Sequence, residues 1–237
     1  MHPGGLRLTQ RAAVLAGVSC AMHVADIGCG CGASLSFLAE EYGVTGVGID
    51  VSADMIGRAR QGGAPGIDFV CCDAACYPYN EGCYDRVFCD CALSEITKPG
   101  QVLLKIRDSL RPGGKLILSD VYAKEKKTPG SQRVRAACPG ACVSVRAWTK
   151  GQLIGLVTGA GFRTIVEEDH TPALVTYAAE RFAAGCSGWG YVLIIAEKDC
   201  SGGKVVVGGD AVGGGDAVVG GEEVGGCKVV VGGDAVV

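Results

Sequence analysis

The chain has no excess of basic residues: 22 lysines and arginines stand against 25 acids, for a net charge of −3. It carries no basic stripe and no arm of interleaved basic and aromatic residues, so a nucleic-acid partner is not expected. No apolar run approaches the roughly 18 residues that cross a bilayer, so no membrane partner is expected either. The segment Met1 to Gln10 lacks the apolar centre of a secretory leader, which places the expected location in the cytoplasm. Nothing in the composition speaks to oligomeric state.

What is present is enough apolar material for a sizeable core, 48% of 237 residues, and an unusual number of cysteines, 14. In a leaderless chain of this length they read as thiols and not as a disulfide framework. Cys71-Cys72 and Cys89 fall in apolar, strand-like runs, where free cysteine behaves as a small hydrophobe. Cys29-x-Cys31 and Cys89-x-Cys91 lack the two-residue spacing of zinc knuckles, and Cys138-x3-Cys142 has no clearly spaced second pair. No metal is therefore expected.

The composition changes near Cys200. Residues 201–237 are almost wholly Gly, Val and Ala, and Lys-Val-Val-Val-Gly-Gly-Asp-Ala-Val occurs there twice, at 204–212 and 228–236. Paired glycines raise the entropy cost of order, and no large side chain offsets it, so this tail is expected to be disordered and dispensable for ligand binding. Residues 1–200 alternate strand and helix patterns. Strands are expected at Val24–Ile27, Val44–Asp50, Ile67–Cys72, Tyr84–Asp90, Lys115–Asp120, Phe162–Glu167 and Tyr191–Glu197. Helices are expected at Ser34–Glu41, Ala53–Arg60, Pro99–Leu110, Thr149–Ala160 and Pro172–Ala184, and Arg111-Pro112-Gly113-Gly114 reads as the turn that ends the third of them. This alternation implies an α/β fold around a mainly parallel sheet with right-handed crossovers.

The most informative segment is Asp26-Ile27-Gly28-Cys29-Gly30-Cys31-Gly32, a glycine loop that follows a strand and opens a helix. Its glycines let the backbone turn and approach a ligand. With Ala33 the loop also fits Gly-x-Gly-x-x-Ala, the dinucleotide fingerprint, so three acids must decide between the readings. Asp26, two residues before the first glycine, suits a ligand with a cationic amino-acid end better than a pyrophosphate. Asp50 ends the second strand, where a carboxylate can accept both ribose hydroxyls. Asp73 follows the third strand, where an acceptor can take the exocyclic amine of adenine. Three acids at three successive strand ends line the sheet edge at which open α/β folds bind ligands.

With Gly48-Ile49-Asp50-Val51-Ser52, Cys72-Asp73-Ala74, Cys83-Tyr84-Asp85-Arg86-Val87, Leu110-Arg111-Pro112-Gly113-Gly114-Lys115-Leu116 and Ala160-Gly161-Phe162, the chain from about Leu6 to Lys198 resembles the class I methyltransferases that use S-adenosylmethionine (SAM). The resemblance implies a Rossmann-like seven-stranded sheet with an antiparallel last strand and helices on both faces. It implies SAM as cofactor and a small-molecule acceptor. The cofactor residues it implies are Asp26, Gly28, Cys29, Gly30 and Gly32 around the methionine part, Asp50, Val51 and Met55 around the ribose, and Cys72, Asp73 and Ala74 at the adenine. Cys89 to Cys91 would face the reactive methyl.

The acceptor is less legible. The segment Cys89-Asp90-Cys91-Ala92-Leu93-Ser94-Glu95 replaces the Asn/Asp-Pro-Pro-Tyr of many amino-methyltransferases, which argues against DNA as substrate. Ala137-Cys138-Pro139-Gly140-Ala141-Cys142-Val143-Ser144 is similar to a stretch of arsenite methyltransferases in which a cysteine ligates As(III); Cys138 matches that cysteine, and Cys91 or Cys186 could supply a second soft ligand. The chain resembles more closely a bacterial group of small-molecule methyltransferases, through Pro3-Gly4-Gly5-Leu6, Cys91-Ala92-Leu93-Ser94, Ser119-Asp120-Val121-Tyr122 and Glu168-Asp169-His170. Cys91, Cys138 and Tyr122 are thus the candidate acceptor residues. His170 reads equally as a turn residue and as a catalyst, and Trp148 reads as core. The competing readings are an NAD-dependent oxidoreductase using the same loop and a non-catalytic SAM- or nucleotide-binding module.

Overall fold

The structure is a computed structural model, and it describes residues 2–124, 133–135, 144–146, 148–182 and 188–199. The 201–237 tail, Cys138, Cys142 and Cys186 lie outside the described residues.

The elements run α1 (Gly5–Ala16), β1 (His23–Ile27), α2 (Ala33–Tyr42), β2 (Thr45–Asp50), α3 (Ala53–Gln61), β3 (Ile67–Cys71), β4 (Tyr84–Asp90), α4 (Pro99–Ser109) and β5 (Leu110–Ala123). A short hairpin follows, β6 (Arg133–Arg135) and β7 (Ser144–Arg146), then α5 (Lys150–Gly159), β8 (Phe162–Asp169), α6 (Thr171–Phe182) and β9 (Trp189–Lys198). Seven strands form one sheet in the order β3-β2-β1-β4-β5-β9-β8. The first five pair in parallel, whereas β9 is antiparallel to both of its neighbours.

Apolar residues on both parities of the central strands make this a sheet buried on both faces. Val87, Cys89, Leu116, Leu118, Val192 and Ile194 point to one side, where α4 and α5 cover them with Val102, Leu103, Leu153 and Val157. Phe88, Ile117, Leu193 and Ile195 point to the other, against Leu8 of α1, Leu35 and Leu38 of α2, Ile56 of α3 and Leu174 of α6. Trp148 is buried in the first of these layers.

Two local features depart from the sequence reading. Helix α1 has no side-chain cap and no acid in its first turn to mark its start, yet it buries Leu8, Thr9, Ala12, Ala13 and Ala16 at helical spacing. Arg111–Gly114 follows the end of α4 as expected, but it is not a free turn outside the sheet. Tyr84 pairs with Leu110 and Arg86 with Lys115, so the intervening residues bulge outward and β5 runs continuously through the expected turn.

The parallel pairing of β1 and β2 depends on Gly46, where an added Cβ would lie 2.0 Å from the Val24 carbonyl oxygen. Gly46→Ala is expected to lower stability in urea unfolding by about 2 kcal/mol or more, because backbone must move. Gly57, inside α3 with no heavy atom within 4 Å of an added Cβ, is the contrast: Gly57→Ala should gain roughly 0.5–1 kcal/mol. Equal effects from the two would show that the register does not rest on Gly46.

Candidate active site

The carboxyl ends of β1, β2, β3, β4 and β5 open into a cleft of ≈ 890 Å³, within the size range of small-molecule sites. Its shape begins at Gly28. There the chain leaves β1 at φ +77, and a Cβ would lie 2.3 Å from that of Ala92, so only glycine lets the two loops touch. The Gly28 and Cys29 amides donate to the Ile49 carbonyl at 2.8 and 3.1 Å, tying the loop to β2. Asp50 completes the tie: one carboxylate oxygen accepts from the Gly30 amide and the other from the Ser52 amide, both at 2.8 Å. Gly32 then caps α2 in the left-handed region without a side-chain hydrogen bond, and Ala33 and Ser34 bring the helix N-terminus to the cleft wall.

Asp26 is the anomaly of the site. It lines the cleft but is only 3% exposed, and among the described residues no hydrogen bond or ion pair reaches its carboxylate. Burial, then the nearby charges of Asp90 and Asp50, push its pKa well above the ordinary carboxylate value. A cationic ligand group would relieve each of these penalties.

Asp73 lies at the far end of the cleft, with one oxygen accepting from the Ala75 amide at 2.8 Å. Val51 and Met55 also line the cleft, although they are 73% and 37% exposed; they offer an apolar rim beside Asp50. Cys29, Cys72, Ala74 and Cys91 complete the wall that the sequence anticipated. Cys91 holds a positive φ of 53 and its thiol donates to the Tyr191 hydroxyl at 3.3 Å.

Three expected site residues stand elsewhere. Gly32 lies behind the wall, where a Cβ would strike the Phe69 ring at 2.5 Å. Cys89 is fully buried in the core layer beneath α4, because strand alternation turns it away from the position that Asp90 occupies. Tyr122 is buried, and its hydroxyl donates to Asp169 at 2.8 Å, so it braces β5 against the end of β8 and does not line the cleft. His170 Nε2 donates a 3.0 Å hydrogen bond to the Glu168 carboxylate, and the residue precedes α6, again off the cleft wall.

Conversely, the sequence reading missed a polar floor. Asp90 accepts from the Ser119 hydroxyl, Ser119 bonds to the Tyr191 hydroxyl at 2.8 Å, and the imidazole of His2 approaches Asp90 at 3.8 Å. Asp120 accepts from the Ser94 amide and hydroxyl at 2.9 Å and from the Val121 amide at 2.8 Å. His2 directly precedes Pro3-Gly4-Gly5-Leu6, and Asp90 and Asp120 fall inside motifs of the chain, but nothing in the sequence brings the three together. The acids also act on the thiols: burial first, and then neighbouring carboxylates, push Cys29, Cys89 and Cys91 upward, holding them as neutral thiols. Among the described residues no group of three or more His, Cys, Asp or Glu side chains is placed to hold a metal ion. No helix among them is long and apolar enough to cross a membrane.

Residues 24–114 match the family model of a methyltransferase domain. The structure overlays that of a Haemonchus contortus phosphoethanolamine N-methyltransferase 2, in complex with phosphomonomethylethanolamine and S-adenosylhomocysteine, with TM-score 0.68 at 19% identity, covering 84% of this chain and 54% of that one. Residues 24–114 are thus similar to a methyltransferase domain, and the fold around them is the one those enzymes share. The chain is also 27% identical over 171 residues to a phosphoethanolamine N-methyltransferase of Triticum aestivum, an alignment that takes in 71% of this chain and 33% of the relative. The chain thus spans about a third of the length of these curated relatives. A further solved structure of the same fold, the [4+2]-cyclase SpnF, overlays with TM-score 0.69 at 24% identity over 82% of this chain and 81% of its own.

The buried floor makes apo stability depend on pH. Burial is the largest influence on Asp120 and raises it from 3.8 to about 6, against the opposing hydrogen bonds from Ser94 and Val121. A folded value above the unfolded one gives stability that is complete below the ordinary carboxylate range and lost as pH rises through about 6. The loss by pH 7 is on the order of 3 kcal/mol. Urea unfolding at pH 4 and pH 7 should show a smaller drop in Asp120→Asn than in the wild type; equal drops would contradict the assignment.

Proposed function

We propose that the cleft binds SAM and that the domain transfers its methyl group to a small organic acceptor. The observation that carries this reading is Asp26, a buried carboxylate on the cleft wall with no partner among the described residues. The α-amino group of SAM is a cation of the kind it calls for, and NAD has none at that position. The other residues fit the rest of the same ligand. Asp50 uses one lone pair of each oxygen on backbone amides, which leaves a further lone pair on each for the two ribose hydroxyls. The α2 N-terminus offers backbone amides to the α-carboxylate. Val51 and Met55 can pack on the nucleoside, and Asp73 can accept from the adenine amine.

Bound SAM would supply an electrophilic methyl on its sulfonium sulfur. The chain's own work is to hold the sulfonium in line with the acceptor and to keep water out. The acidic walls and the net charge of −3 favour a small acceptor over a nucleic acid. The neutral thiols Cys29 and Cys91 favour an organic acceptor over As(III), which thiolates bind. Amines such as the phosphoethanolamine named for the relatives are suitable first candidates.

Calorimetry tests the cofactor assignment. SAM is expected to bind in the micromolar range, and NAD is not expected to bind. Asp50→Ala should cost roughly 1–3 kcal/mol by leaving ribose hydroxyls unpaired. Asp26→Asn should weaken SAM by a similar amount while leaving 5′-methylthioadenosine, which lacks the amino-acid end, unaffected. NAD binding tighter than SAM, or equal losses for SAM and 5′-methylthioadenosine in Asp26→Asn, would refute the reading.

A further inference from the structure

The imidazole of His2 forms part of the cleft wall beside Asp90, and its side chain is 6% exposed. Its tautomer follows from its neighbours. Nδ1 lies 2.9 Å from the Pro3 carbonyl oxygen, which can only accept, so Nδ1 carries the hydrogen. Nε2 therefore presents its lone pair, toward the Thr9 hydroxyl at 3.1 Å, the Ser34 hydroxyl at 3.5 Å and the Asp90 carboxylate at 3.8 Å. A proton arriving at Nε2 would create an imidazolium facing that carboxylate. Asp90 in turn is held by Ser119, and Ser119 by Tyr191. Nε2 thus sits at the cleft wall beside Ser34 and Asp90, next to a carboxylate that can stabilise its protonated form.

We propose that His2 is the general base of the domain, with Asp90 as the positioning residue that stabilises its imidazolium, and that the acceptor is a protic nucleophile, an alcohol, phenol or amine bearing N–H. The inference rests on the methyl-transfer reading above. A lone pair on the acceptor O or N forms the new bond to the methyl carbon, the C–S bond breaks with its electron pair remaining on sulfur, and the acceptor's proton passes to His2 Nε2. Solvent then takes that proton, and no oxidant or metal is required. The Thr9 and Ser34 hydroxyls fix the ring at Nε2, and the acceptor's proton displaces them there. The titratable groups around the pair are Asp26 on β1, Cys91 after β4, Asp120 on β5 and Tyr191 on β9. Asp90 pushes the ionisation of Asp26 in the same direction as burial does, and His2 opposes burial at Asp90.

Two readouts on the full chain test this. Imidazole 15N NMR with S-adenosylhomocysteine bound should show His2 as the Nδ1–H tautomer at alkaline pH; an Nε2–H tautomer would overturn the proposal without any assay of turnover. The second readout uses labelled SAM with ethanolamine, phosphoethanolamine and catechol as protic acceptors, and with trimethylamine and dimethyl sulfide as acceptors that have no proton to lose. His2→Gln should lower kcat on protic acceptors by about 100-fold or more, within the range of general-base catalysis. It should leave the SAM Kd within about twofold, and its residual rate should keep climbing with pH where the wild type has levelled. Asp90→Asn should lower kcat in the same sense by a smaller factor. Wild-type rates in His2→Gln, a loss spread equally over KM and SAM affinity, or wild-type turnover confined to trimethylamine and dimethyl sulfide would each overturn the assignment. No transfer to any of the five would overturn it as well, and the SAM titration then shows separately whether the cofactor reading stands.

Discussion

Two backbone amides from different loops converge on the carboxylate of Asp50, at Gly30 and at Ser52. Both loops leave the carboxyl edge of the sheet, one toward α2 and one toward α3. Without a shared acceptor each would be free to move independently. The clamp works because Gly28 permits contact with Ala92 and because the β1–β2 register sets Ile27 opposite Ile49. Loop, helix N-terminus and Asp50 are therefore placed by one set of hydrogen bonds, and the rest of the cleft is arranged around them.

The second constraint is electrostatic. Asp26, Asp90 and Asp120 are nearly or fully buried at the same sheet edge, and burial raises the pKa of each. Asp120 offsets part of that penalty with three hydrogen bonds and Asp90 with Ser119 and His2, whereas Asp26 has no such relief among the described residues. A fold that left a carboxylate in this state without a ligand would give up stability for nothing. Burial and the same field push Cys29 and Cys91 upward and hold them as neutral thiols, so a high cysteine content does not make this a thiolate site.

Much of this was legible in the sequence because strand ends are marked there. Asp26, Asp50 and Asp73 each close an apolar run, and the glycines of residues 28–32 announce the turn that brings those acids to one edge. The helices on both faces follow from strands that are apolar on both parities. Legibility failed where a residue's role depends on distant chain. His2 has meaning only once α1 places it against Asp90, and α1 itself carries no cap or first-turn acid. The resemblance implies Cys89 beside the reactive methyl, but alternate strand residues face opposite ways, and Cys89 lies in the core layer. Tyr122 was drawn from the site by Asp169, a partner 47 positions away. The Pro-Gly-Gly at 112–114 marks the end of α4, but the sequence did not show that this turn lies within the ladder as a bulge between Leu110 and Lys115.

The central claim is that Asp26 is the receptor for the cationic end of the cofactor. A crystal structure of the full chain with S-adenosylhomocysteine tests it most directly. The account predicts the ligand's α-amino nitrogen within hydrogen-bonding distance of the Asp26 carboxylate, with both ribose hydroxyls on Asp50. A ligand whose amino group points to solvent, leaving Asp26 without a partner, would contradict it.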